Sequence, residues 1–95
     1  MKTIIIDCAG VNSPEDFWGR YLDATRPHGG EDFGRDLDAF WDAIERGGPG
    51  WPGEVTLSFQ HTEALSELRT AGGGSFLDGL RKIAEDATRL RLDLS

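Results

Sequence analysis

Three carboxylates, Asp38, Asp42 and Glu45, recur at spacings of four and three. On a helix that spacing gathers them within about 60° of arc. Such a row can hold a hydrated divalent cation, act as paired acid and base, or meet a cationic partner. The first two chemistries need further ligands or a histidine beside the row, and the local sequence supplies neither. His28 lies in a glycine-rich loop and His61 at the end of a strand-like run, so both read as loop or cap residues. Cys8 has no cationic neighbour in sequence to draw its thiol toward the thiolate, and it reads as a small apolar residue. Ser75 follows Gly72-Gly73-Gly74 and opens a helix, a geometry that can hold an anion on backbone N–H groups. Neither phosphate-loop nor dinucleotide spacing surrounds it, so these glycines read as a flexible loop. The expectation is therefore no enzyme, no cofactor and no metal site. The plainest use of the acidic row is a solvated helix face, and the sharper use is binding.

The other face of the same stretch favours binding. Leu37, Phe40, Trp41 and Ile44 follow core-facing helical spacing. With Leu37 at zero, the apolar residues fall between about 300° and 40° and the acids between about 80° and 140°. Trp41 sits at the seam, a large aromatic at the edge of a core beside a compact acidic row, as an interface hot spot requires. The chain carries a net charge of −7. Residues 31–45 hold six acids (Glu31, Asp32, Asp36, Asp38, Asp42 and Glu45) against Arg35 alone, a net −5. Nucleic-acid binding needs the opposite sign, whereas a basic protein would be drawn to this patch.

Ninety-five residues correspond to one domain, 1–95, with a single modest core. One cysteine excludes an internal disulfide and fits a reducing cytoplasm. The three isoleucines after Thr3 are too short for a signal-peptide core, and no run approaches a membrane span.

The elements that must position the acidic stretch can be read in order. Thr3–Ile6 is a β-branched run, expected as a strand buried on both faces. Ser13-Pro14-Glu15-Asp16 is a helix start, with serine at the N-cap, proline at N1 and acids in the first turn. Phe17, Trp18, Tyr21 and Leu22 form the buried stripe of that helix, which ends near Thr25. Residues 26–30 form a loop, and Gly34 is expected as the turn position that lets Phe33 tuck inward. Asp36 or a neighbour caps the acidic helix, which stops before Gly47-Gly48-Pro49-Gly50. Trp51 reads equally as an exposed contact or a lid on the core. Glu54–Phe59 alternates as a one-faced strand. Thr62 is expected to cap a short helix over 63–70, and Ser75 a longer one burying Phe76, Leu77, Leu80, Ile83, Ala84 and Ala87. Arg89–Leu94 alternates as a third strand. The expected fold is α/β, a three-stranded parallel sheet packed with about four helices. Because the first strand is apolar throughout, it is placed centrally, giving order 2-1-3.

The segment Phe33-Gly34-Arg35-Asp36-Leu37-Asp38-Ala39-Phe40-Trp41-Asp42-Ala43-Ile44 resembles the barstar family, intracellular inhibitors of secreted ribonucleases. The family pattern is aromatic-Gly-x-Asn-Leu-Asp-Ala-hydrophobic-Trp-Asp-x-hydrophobic, and its Leu-Asp-Ala-x-Trp-Asp centre is intact here. The resemblance extends over the whole chain, and the family fold, three parallel strands packed with helices, agrees with the order read above. It implies that the loop and helix plug a ribonuclease active site. Asp42 would enter the pocket that holds the substrate phosphate, with Asp38 and Trp41 contacting the same surface. The implied partner-binding set is Asp32, Phe33, Gly34, Asp36, Leu37, Asp38, Ala39, Trp41, Asp42, Glu45 and Arg46, with Lys82 and Asp86 at the rim.

Four departures from the family pattern bear on partner choice. Aspartate replaces asparagine at Asp36, an aromatic is lost at Asp32, a glutamate is replaced at Lys82, and the loop over 47–53 is longer. The expectation is a monomeric cytoplasmic inhibitor of a small ribonuclease, without nucleic-acid or membrane partners. An adaptor for another basic protein and a carboxylate or metal enzyme are the competing readings.

Overall fold

The structure, a computed structural model, describes residues 2–95. In chain order it contains β1 (Lys2–Asp7), α1 (Pro14–Thr25), α2 (Leu37–Arg46), β2 (Val55–Gln60), α3 (Phe76–Asp86) and β3 (Arg91–Leu94), with 3-10 turns at Gly30–Asp32 and Thr62–Leu65. The local signals behave as their chemistry requires. Ser13 caps α1 by accepting the Asp16 N–H, and Pro14 opens the helix. Asp36 caps α2 by accepting the Ala39 N–H at 2.7 Å. Gly47, at φ 72°, closes α2 in the left-handed region that glycine tolerates best. Ser75 caps α3.

The strand order differs from expectation. The sheet is parallel in the order β1-β2-β3, with β2 central. Ile6 is buried, Ile4 only partly, and Ile5 is 56% exposed. Two crossovers of the same right-handed sense that advance in one direction lay every helix on one face of a sheet. The other face is then left to water. Order 2-1-3 would reverse direction and need helices on both faces. The alternation of β2 is the residue-level record of this: Val55, Leu57 and Phe59 are buried, while Thr56, Ser58 and Gln60 are not. A short apolar run is consistent with central burial, but the alternation of its neighbours decides the layer structure.

The fourth helix is also absent as a helix. Residues 62–65 make one 3-10 turn, and Arg69 instead forms an isolated antiparallel bridge with Ser75. The Thr70 N–H donates to the Gly74 carbonyl and the Leu68 carbonyl accepts from the Phe76 N–H, so the turn takes backbone groups that a helix over 63–70 would pair along its own axis. Thr62 caps nothing; it fastens the chain end, its N–H and hydroxyl both donating to the Ser95 carbonyl at 3.0 Å. The third strand begins at Arg91, two residues later than expected.

Between the covered sheet face and the helices lies one aromatic-rich core. Trp18 is its centre, fully buried, with the rings of Phe17, Tyr21, Phe33, Phe40 and Phe76 all within 6.0 Å. The Tyr21 hydroxyl donates to the Gly50 carbonyl at 2.8 Å, tying α1 to the loop that follows α2.

At the C-terminal ends of β1 and β2, His61 Nδ1 lies 2.9 Å from Asp7 Oδ1. The Asp7 hydrogen bond and charge raise the His61 pKa above its ordinary 6.5. The Ala9 N–H and then His61 lower that of Asp7 below 3.8. The histidine contribution is complete below pH 6.5 and fades as pH rises through the raised folded value. The aspartate contribution is complete above 3.8 and fades on acidification. The thermal midpoint should therefore decline as pH rises above 6.5, and His61→Gln should remove that portion of the slope. A melting series in matched buffers checks this, and because both groups are exposed the effect will be small.

Candidate functional site

α2 is held as a platform by its buried side, where Phe40, Ala43 and Ile44 are fully enclosed. Its approach to α3 is close. A Cβ on Gly79 would lie 2.5 Å from Leu37 Cδ1, so Leu37 packs directly over the glycine. Upstream, the residue that takes the left-handed turn is Arg35, at φ 54°, rather than Gly34. Gly34 matters for proximity, since a Cβ there would touch Ala39 at 3.0 Å. Phe33 is nonetheless tucked inward as expected, packed against Trp18 and Tyr21. Its side chain supports the loop from beneath.

Five of the residues implied as partner-binding line one groove of about 300 Å³ between α2 and α3: Leu37, Asp38, Trp41, Lys82 and Asp86, with Gly79 and Ile83 as its floor. Asp38 also borders a second groove of about 480 Å³, formed with Arg35, Asp36 and the 69–72 loop. It thus stands on the ridge between two depressions. Asp36 is exposed, but its carboxylate is committed to the helix cap. Asp32 lies at the end of the first 3-10 turn, exposed, and Arg46 is exposed at the end of α2. Ala39 is half-buried. Lys82 Nζ and Asp86 Oδ2 are 3.3 Å apart, an exposed ion pair along this groove.

The three carboxylates of the row do not behave alike. Glu45 is turned onto its own chain, accepting hydrogen bonds from the Thr88 N–H and hydroxyl and from the Arg89 N–H. The Thr88 N–H, then its hydroxyl, hold the Glu45 pKa below its ordinary value. Glu45 thereby staples the end of α2 to the turn between α3 and β3. The carboxylates of Asp38 and Asp42 make no hydrogen bond or ion pair among the described residues. Asp42 is half-buried, with its carboxylate folded over Gly48. Trp41, half-buried, shows part of its ring beside them. Trp51 acts as a lid: it packs against the core while the Arg89 guanidinium lies 4.9 Å over its ring.

Other candidate chemistry stays apart from this face. Cys8 is fully buried and its thiol is pushed up to about 11, first by desolvation, so it is held as the unreactive thiol. Among the described residues no group of three or more His, Cys, Asp or Glu side chains is arranged to hold a metal ion. No helix among them is long and apolar enough to cross a membrane.

Sequence reasoning missed that Gly48 borders the Asp42 carboxylate, and it missed that Thr88 and Arg89 would claim Glu45. The doubled glycine was the available signal for the first, since one left-handed residue suffices to end a helix. No local signal announces the second, because Glu45 and Thr88 are brought together only by the fold.

A family model described as Barstar (barnase inhibitor) matches residues 1–94. No curated protein matches the chain.

Proposed function

Because the chain belongs to the Barstar (barnase inhibitor) family, we propose that it inhibits a small secreted, guanyl-preferring ribonuclease by placing the loop and helix over its active site. The observation that carries this reading is the unequal use of the α2 acids. The fold engages Glu45 and leaves the Asp38 and Asp42 carboxylates unpaired beside the half-buried Trp41. An unpaired carboxylate can be buried at an interface only if the partner brings its counter-charges. A ribonuclease phosphate pocket does so, with arginines and a histidine arranged around an anion. Asp42 would occupy it as a phosphate mimic, through charge-assisted and bidentate hydrogen bonds. Asp38 would contact the rim of the same pocket, and Trp41 would supply the flat apolar anchor that excludes water around it. The net −5 of residues 31–45 would steer the encounter.

On this reading the protein is a single-domain cytoplasmic monomer that protects the cell making the enzyme. Lys82, paired with Asp86, and the 47–53 loop adjust which ribonuclease is accepted.

Titrating the purified protein into microbial guanyl-preferring ribonucleases tests this. The expected result is stoichiometric loss of RNA cleavage, with an association rate that falls as salt is raised from about 0.01 to 0.15 M, where the screening length shrinks from roughly 30 to 8 Å. Tight capture of a basic protein that is not a nuclease, with no ribonuclease inhibited, would indicate an adaptor. RNA-independent, metal-dependent turnover by the protein alone would indicate an enzyme.

A further inference from the structure

Gly48 has a use that ending α2 does not explain. Gly47 already closes the helix, its N–H donating to the Ala43 and Asp42 carbonyls. Gly48 is not among the glycines with positive φ, so the left-handed region does not account for a glycine there. What forbids a side chain there is Asp42. A Cβ on Gly48 would fall 2.2 Å from Asp42 Oδ2 and 3.1 Å from its Cγ. The Asp42 carboxylate therefore occupies the volume that any other residue at 48 would claim. The Gly48 N–H also reaches the Asp42 carbonyl at 3.3 Å, so the turn wraps around this one residue. We propose that Gly48 is a positioning residue: the missing side chain lets the Asp42 carboxylate lie in the rotamer that presents it to the partner. This rests on the inhibitor reading of Asp42 given above.

The physical consequence is specific. An alanine at 48 should leave the fold intact, because φ there is not positive and the close obstacle is the end of one short side chain. It removes one rotamer of Asp42. A carboxylate displaced from that rotamer loses alignment with a bidentate donor pair, while its charge stays nearby.

The test is a two-residue cycle with a rotamer readout. Asp42 Hα–Hβ couplings measured by NMR on the free protein should report one side-chain rotamer in the wild type and a different population in Gly48→Ala. Gly48→Ala should melt at or above the wild-type temperature, since alanine narrows the unfolded ensemble. Against a ribonuclease that the wild type inhibits, Gly48→Ala should bind about ten- to a hundredfold more weakly, the loss of one charge-assisted hydrogen bond. In an Asp42→Ala background, Gly48→Ala should change binding less than about twofold, since coupled residues share a loss that independent residues would add.

Unchanged Asp42 couplings in Gly48→Ala would overturn the proposal whatever the binding result. So would a Gly48→Ala binding loss of the same size with and without Asp42, which would mean direct contact of residue 48 with the partner. If Asp42→Ala binds as the wild type does, the inhibitor reading of Asp42 fails, and the positioning role for binding fails with it. The couplings then still decide separately whether Gly48 sets the rotamer.

Discussion

Asp42→Ala should abolish inhibition at protein concentrations where the wild type is stoichiometric. The geometry supplies the reason. The Asp42 side chain makes no hydrogen bond or ion pair among the described residues, so its truncation removes little from the free protein. In the complex it would leave the cationic pocket of the ribonuclease buried and unpaired. Two charge-assisted hydrogen bonds at about 1.5–3 kcal/mol each imply a loss of roughly 3 kcal/mol or more, at least about a hundredfold in Kd. The largest alanine-scan losses known at interfaces, up to about 8 kcal/mol, include a barstar aspartate; that ceiling belongs to the family, and only the lower figure follows from hydrogen-bond chemistry. The thermal midpoint should stay near that of the wild type. Inhibition kinetics and a melting curve on the same variant make the check. Wild-type inhibition by Asp42→Ala would refute the phosphate-mimic mechanism and leave the family membership and the fold untouched. A large loss of stability would mean that Asp42 holds the turn after α2 together.

Trp18→Ala should come close to unfolding the protein. The side chain is fully buried and its ring touches five other rings. Deleting a buried aromatic costs about 3–5 kcal/mol, against a total stability of order 5–15 kcal/mol for a domain of this size. At about 4–8 °C per kcal/mol, the midpoint should fall by more than roughly 12 °C. Trp18→Phe offers the instructive contrast. The indole Nε1 has no hydrogen-bond partner among the described residues, so phenylalanine forfeits packing volume only and should cost about 1–2 kcal/mol. Urea denaturation of the two variants separates the alternatives. Equal losses for alanine and phenylalanine would show that the indole N–H itself carries a stabilising interaction.

The two expectations differ in what each rests on. The burial of Trp18 was legible in the spacing Phe17, Trp18, Tyr21, because a helix that hides one stripe must repeat its apolar residues every three or four positions. The caps Ser13, Asp36 and Ser75 and the stop at Gly47 were legible for the same kind of reason: each satisfies backbone groups a few residues away. The acidic row was equally visible as a row. Its division of labour was not, because Glu45 meets Thr88 and Arg89 across more than forty residues of sequence. The strand order failed on a related point. Ile4-Ile5-Ile6 measures local hydrophobicity, and whether Ile5 faces a helix or water depends on where the chain crosses next.

What the sequence determined by itself, then, is what nearest turns govern in the three longer helices: where they start and stop, which face of each is apolar, and the motif that marks the family. What only the tertiary structure decided is which like residues end up in unlike surroundings. One isoleucine of three is buried, one acid of three is consumed by the chain, and one glycine of a pair is reserved for the Asp42 carboxylate. The physical reason is that burial, pairing and excluded volume are properties of neighbours in space. In a parallel sheet those neighbours come from crossovers of a dozen or more residues, beyond the reach of any local pattern.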